Sequence, residues 1–80
     1  AMGDVLLEMA LLYRQQNRLV ESEKTYLEVI SMFKSTFGSN HSKLSIAYGN
    51  LAKCFDLQNK SEEAAEMFQK TLDIQSKELG

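Results

Sequence analysis

Histidine and cysteine, two residue types that often perform catalysis or bind metal, each occur once in this sequence, as His41 and Cys54. A protein zinc site usually takes three or four such ligands, so these two residues are too few. Cys54 directly precedes an aromatic residue in an apolar segment, where a buried small hydrophobic residue is expected. His41 lies in a polar loop, where we expect it to pack or to cap a helix. We predict no catalytic residue, no metal site and no cofactor.

Composition and charge exclude several classes of protein. The 80 residues are 44% hydrophobic and 25% charged, with a net charge of −2. Without a basic stripe, nucleic acid is not an expected partner. No apolar stretch approaches the ~20 residues of a membrane span. A single cysteine excludes an internal disulfide and fits a reducing, cytoplasmic location. Residues 1–3 resemble a remnant of recombinant expression, which predicts that the chain is a fragment of a larger protein.

The sequence repeats itself after 42 residues. Shifting it by 42 positions matches residues of similar type in eleven places, with large and small side chains kept in order. The pairs are Met9 and Leu51, Ala10 and Ala52, Tyr13 and Phe55, Asn17 and Asn59, Glu21 and Glu63, Ser22 and Ala64, Tyr26 and Phe68, Ile30 and Leu72, Met32 and Ile74, Phe37 and Leu79, and Gly38 and Gly80. Such a period indicates stacked supersecondary units.

Each copy has the apolar spacing of two helices. We predict helices over about 4–16, 19–36, 42–58 and 61–79, in repeats at 4–38 and 43–80. Asn17 and Asn59 fall at the turns, where asparagine tolerates a left-handed helix stop. The expected N-caps are Asp4, then Asn40 or Ser42, then Ser61, and Gly80 would end the last helix.

Each predicted helix has an apolar face that should lie in the core. In chain order, the expected core faces of the four helices are Leu6, Met9, Ala10 and Tyr13; Tyr26, Val29, Ile30 and Phe33; Tyr48, Leu51, Ala52 and Phe55; and Ala64, Ala65, Phe68, Leu72 and Ile74.

This pattern resembles the tetratricopeptide repeat, whose signature alternates bulky, small and aromatic residues. The signature positions hold Tyr48, Leu51-Ala52, Phe55, Ala64, Phe68 and Thr71 in the second copy, and Leu6, Met9-Ala10, Tyr13, Ser22, Tyr26 and Val29 in the first. The longer period, with Phe37-Gly38, His41 and Asn50-Leu51-Ala52, resembles the kinesin-light-chain-like subgroup, although Ser42 replaces its proline. The resemblance implies an all-α superhelix of four antiparallel helices in two helix–turn–helix repeats. It also implies an interaction scaffold and not an enzyme.

The first helices of stacked repeats line a concave surface. The sides of these helices opposite their core faces hold Ile46, Gly49, Asn50, Lys53, Asp56 and Leu57, and Leu7, Glu8, Leu11, Arg14 and Gln15. The resemblance implies that such a face receives an extended peptide. The predicted peptide-binding residues are Asn50, Lys53, Arg14, Glu8, Leu11, Ile46 and Leu57. The Asn50 amide can both donate to and accept from a peptide backbone, and Lys53 and Arg14 can pair with acidic groups. Alternatively, each of these residues is simply solvated surface.

The number of repeats predicts a second behaviour. About three repeats are normally needed for stability, because each buries its apolar face on a neighbour. We therefore expect the last helix to expose apolar surface and the chain to form homo-oligomers, by stacking end to end or by exchanging hairpins. The alternative function is accordingly a structural segment that self-associates without a dedicated peptide ligand.

Overall fold

The computed structural model describes residues 2–39 and 41–79, which form four α-helices and no strand. They are α1 (Met2–Gln15), α2 (Leu19–Phe37), α3 (Ser42–Leu57) and α4 (Ser61–Leu79). Each helix packs against the next one, and α3 also touches α1. Two helical hairpins, α1–α2 and α3–α4, therefore stack side by side, and the predicted all-α fold is confirmed.

The two hairpins turn in the same way because an asparagine occupies the same place in each. Asn17 and Asn59 both adopt a φ of 64°. In each turn the next residue donates its N–H to the carbonyl of the aromatic residue five positions earlier, Arg18 to Tyr13 (2.8 Å) and Lys60 to Phe55 (2.9 Å). This left-handed closure satisfies carbonyls that the helix end leaves open. The predicted asparagine stops are confirmed.

The predicted N-caps are wrong where the structure describes them. The first helix begins at Met2, so Asp4 lies in its first turn, where its charge still favours the helix dipole. The cap of α3 is His41, whose Nδ1 accepts the N–H of Lys43 at 3.1 Å, and Ser42 is the first helical residue. In α4 Ser61 is already helical, because the Ala64 N–H donates to the carbonyl of Lys60. The expectations for Asn40 and Gly80 lie outside the described residues.

Small residues let the helices approach closely. Ala10 and Ser22 are fully buried, and the Ser22 hydroxyl donates to the Ala10 carbonyl at 2.7 Å. This bond joins α1 to α2 across the hairpin and satisfies a hydroxyl that would otherwise be costly to bury. Ala52 and Ala64, the residues 42 positions later, are also buried. The large side chains pack beside these contacts, and the whole predicted core faces of α2 and α3 are buried.

Four predicted core residues are instead exposed: Met9, Ala65, Phe68 and Leu72. The matching residues of Met9, Phe68 and Leu72 in the other repeat, which are Leu51, Tyr26 and Ile30, are buried. The difference arises because those partners lie at the junction of the two hairpins, whereas the exposed residues lie on the outer sides. The prediction that the last helix exposes apolar surface is confirmed. No helix within the described residues is both long enough and apolar enough to cross a membrane.

Replacing Ala52 with leucine should overpack the α3–α4 hairpin, because Ala52 is completely buried. We expect a loss of about 1–3 kcal/mol in the free energy of unfolding, measured by urea denaturation of dilute protein. Ala65→Leu, on the exposed side of α4, is the matched control and should change stability by less than about 0.5 kcal/mol. Equal effects of the two substitutions would contradict the packing described here.

Candidate functional site

His41 has a structural role at the junction of the repeats. Its Nδ1 is occupied by the cap of α3, and its ring stacks on Phe37 at 4.4 Å between centroids. The ammonium of Lys43 lies 5.2 Å from the centre of the same Phe37 ring and 3.4 Å from the Asp4 carboxylate. These contacts bring the amino-terminal ends of α1 and α3 together, so the two helices run side by side. The prediction that His41 packs or caps is confirmed.

Cys54 is also structural. Its side chain is fully buried on α3, and the thiol Sγ lies 3.1 Å from the carbonyl oxygen of Leu19 at the start of α2. The expected buried small residue is therefore confirmed, and the thiol adds a weak hydrogen bond between the hairpins. Across the described residues, His, Cys, Asp and Glu side chains form no group of three or more that could hold a metal ion.

The exposed line of α3 is a single stripe. Ile46, Asn50, Lys53 and Leu57 follow one another at spacings of four, three and four residues, which places them on one side of the helix. We call these residues the α3 stripe. Ile46, Lys53 and Leu57 are exposed and Asn50 is half-buried. Among the described residues, the Asn50 amide has no hydrogen-bond partner and no carboxylate lies within ion-pair distance of Lys53, so both polar groups can receive a ligand.

The repeat register identifies the matching line on α1. Subtracting 42 from the α3 stripe gives Asp4, Glu8, Leu11 and Gln15, which we call the α1 stripe. Glu8 and Gln15 are exposed, and Asp4 is held by Lys43. Asp4 was missed as a member of this surface, although the 42-residue shift contains the signal.

The structure corrects four positions expected on the open face. Leu7 and Leu11 are half-buried and pack against the core, since α3 approaches α1 on this side. Leu11 is therefore a half-buried apolar residue within the α1 stripe and not an exposed leucine. Gly49 is turned towards α4, where a Cβ would meet Thr71 at 3.8 Å. The fourth position is Arg14.

Arg14 is half-buried and lies close to Tyr26 of α2. Its Nε is buried without a hydrogen-bond partner among the described residues, and its charge acts on the buried phenol of Tyr26. Burial raises the pKa of Tyr26 above 10.0, and the nearby guanidinium of Arg14 opposes that rise only in part. The other exposed residue of α3 expected on this side, Asp56, is confirmed as exposed but lies beside the α3 stripe.

Two helical hairpins, the small and aromatic residues between them and the 42-residue register all describe one architecture. A family model described as tetratricopeptide repeat matches residues 2–77. The chain belongs to the tetratricopeptide repeat family. No curated protein matches the sequence.

Membership of this family indicates which surface of a stack of repeats the two stripes belong to. Tetratricopeptide repeats form scaffolds for interactions between proteins, and α1 and α3 are the first helices of the two repeats. The first helices line the inner surface of a stack of repeats. The match covers both repeats without separating subgroups, so the kinesin-light-chain-like assignment stays a prediction.

The Tyr26 phenol should make stability depend on alkaline pH. Because its folded pKa is raised, the unfolded chain loses its proton first, so stability present below pH 10.0 should fall as the pH rises through the folded pKa. Tyr26→Phe should lack this component, and phenylalanine already fills the matching position, Phe68. Urea titrations at a series of pH values up to strongly alkaline would measure the difference between the two curves. Parallel curves throughout would contradict the burial of the phenol.

Proposed function

We propose that this pair of tetratricopeptide repeats holds an extended segment of a partner protein along the α1 stripe and the α3 stripe. The single observation that carries the proposal is the unengaged Asn50–Lys53 pair at the centre of an otherwise apolar α3 stripe. Most other residues of α3 pack against α1, α2 or α4, and Asp56 is exposed beside the stripe. The proposed activity is binding without catalysis and without a cofactor.

The length of the α3 stripe sets the length of the bound segment. From Ile46 to Leu57 the helix advances eleven residues, which is about 16 Å at ~1.5 Å per residue. An extended peptide covers that span in about five residues at ~3.3 Å each. Ile46 and Leu57 mark the two ends, where apolar peptide side chains would be buried. The Asn50 amide lies between them and can bond a peptide backbone whatever its sequence.

Charge gives the segment a preferred composition. Lys53 offers a positive group on α3, and Glu8 offers a negative group on α1, whereas the Asp4 carboxylate is already paired with Lys43. A segment with apolar ends, an acidic residue near Lys53 and a basic residue near Glu8 would match this surface. Exposed charge pairs add little affinity, but they favour one register of binding over others.

The net charge of the chain and the free, buried Cys54 support a protein partner inside the cell. A chain with net charge −2 and no basic stripe does not suit phosphate-rich partners. Cys54 is free and buried against a backbone carbonyl, an arrangement suited to a reducing compartment. We propose neither nucleic acid nor membrane as a ligand.

The second candidate function is self-association, which the exposure of Phe68 and Leu72 on α4 favours. Exposed aromatic and leucine side chains on one helix face commonly mark a contact surface. In this reading the repeats assemble with one another, and the stripes need no dedicated ligand.

Selection of a random peptide library on the immobilised protein would test peptide binding. We expect selected peptides to lose at least about tenfold in affinity for Asn50→Ala and for Lys53→Ala, equivalent to about 1.4 kcal/mol. Isothermal titration calorimetry measures the affinity, and amide chemical-shift changes should follow the two stripes.

Matched controls separate the stripes from general surface effects. Lys24→Ala on α2 and Gln69→Ala on α4 remove exposed polar side chains away from the stripes and should leave affinity unchanged. Peptides that lose affinity equally for the controls, or a library that yields no binder, would count against the proposal.

A further inference from the structure

The contact between the two hairpins shows what covers each side of a repeat. On α3, Ala47, Leu51 and Cys54 are all 0% exposed. The matching residues of α1, each 42 positions earlier, are Val5, Met9 and Leu12, and they are 57%, 40% and 53% exposed. We call these three residues the leading face. They occupy the positions that the preceding hairpin covers on α3.

The other end of the chain presents the complementary half. On α2, Tyr26 and Ile30 are 0% and 6% exposed where α3 packs against this helix. The matching residues of α4 are Phe68 and Leu72, which are 43% and 58% exposed. We call these two residues the trailing face. The chain thus carries one copy of each half of the contact that joins its own hairpins.

We propose that the leading face of one copy docks on the trailing face of a second copy, head to tail, in the arrangement that α3 adopts on α2. This deepens the second candidate function by naming its surfaces, and it uses sides of the helices other than the two stripes. Because the two faces differ, the contact is heterologous, and it propagates as an open stack unless the rotation closes a ring.

The volumes of the two faces compensate at the end of the contact where Val5 lies. Val5 is larger than its internal counterpart Ala47, and across the contact Gln75 on α4 replaces the buried Phe33 of α2 and so removes an aromatic ring from the trailing side. Phe33 packs near the start of α3, since the Lys43 ammonium lies 5.8 Å from the centre of its ring. At this end an enlarged residue therefore meets a reduced surface, as close packing requires.

The polar groups suit the same arrangement. The Tyr26 hydroxyl is buried without a partner among the described residues, whereas Phe68 at the matching position has no such group to bury. Inside the chain, Glu23 accepts from Lys60 at 3.3 Å across the contact. In a head-to-tail pair Arg18 takes the place of Lys60 and Ala65 that of Glu23. The exposed Glu62 and Glu66, which flank Ala65 on α4, then supply the carboxylates.

Two charge substitutions and their mixture test the proposal. Leu12→Glu disables only the leading face and Leu72→Glu disables only the trailing face, since each would bury an unpaired carboxylate. We expect wild type to sediment with a weight that rises with micromolar concentration. Each variant alone should associate at least about 100-fold more weakly. An equimolar mixture should form a heterodimer and stop there, because each partner keeps one intact face.

Leu27→Glu is the matched control. Leu27 is 48% exposed and its counterpart is the exposed Gln69, so it belongs to neither face. This variant should associate like wild type, and circular dichroism with urea unfolding should show all three variants folded.

Other outcomes overturn the proposal in distinguishable ways. A wild type that stays monomeric at every concentration excludes docking, and unchanged association of both variants indicates exchange of hairpins. Loss with Leu72→Glu alone indicates contact between two trailing faces. The peptide site is judged separately, because a folded, monomeric Leu12→Glu variant keeps both stripes and should bind the selected peptides with wild-type affinity.

Discussion

The structure depends on the position of α3 between α2 and α4. Ala47, Leu51 and Cys54 are fully buried where the preceding hairpin covers α3, and Ala52 is fully buried in the hairpin that α3 forms with α4. Small side chains at three of these four positions let the helix backbones approach, and the larger aromatic residues then fill the space beside them. α3 packs against all three other helices, whereas a single hairpin buries only one side of each of its helices. The outer helices α1 and α4 each lack the neighbour that α3 has.

The packing of α3 also decides where a ligand can bind. With most of its other sides buried, α3 turns the α3 stripe and the neighbouring Asp56 outward, and α1 lies alongside it, with an exposed ion pair between Lys43 and Asp4. The two stripes are therefore placed by the core and not by loops. A surface on two rigid helices loses little entropy when it binds an extended segment, so a few contacts can suffice for useful affinity.

Much of the fold was predictable because its signals are local or repeat in the chain. The 42-residue register, the asparagine turns and the core faces of α2 and α3 all follow from spacing and residue type. The N-caps could not be predicted in this way. At the start of α4, for example, Lys60 and Ser61 are neighbouring candidates for the cap, and the backbone geometry favours Lys60. Burial of Met9, Phe68 and Leu72 was mispredicted because the same pattern gives buried residues at the junction and exposed ones outside it. The burial of the Arg14 Nε was not predictable because the neighbouring phenol of Tyr26 belongs to another helix, and the role of Arg14 in peptide binding stays a prediction. The members of the stripes were largely found, but their ligand depends on a partner that is not encoded in this chain.

Peptide binding and head-to-tail docking would reinforce each other. In a stack that repeats the α2–α3 contact, the α1 stripe of the next copy would lie beside the α3 stripe of the first, as α1 lies beside α3 within the chain. The groove would then continue across the contact. A segment longer than the roughly five extended residues that one α3 stripe accommodates would touch both copies and favour the stacked state. By linkage, the stack would favour such a segment by the same factor. Stacked in this way, the pair of repeats would bind long segments tightly and short ones weakly, with no change in any single contact.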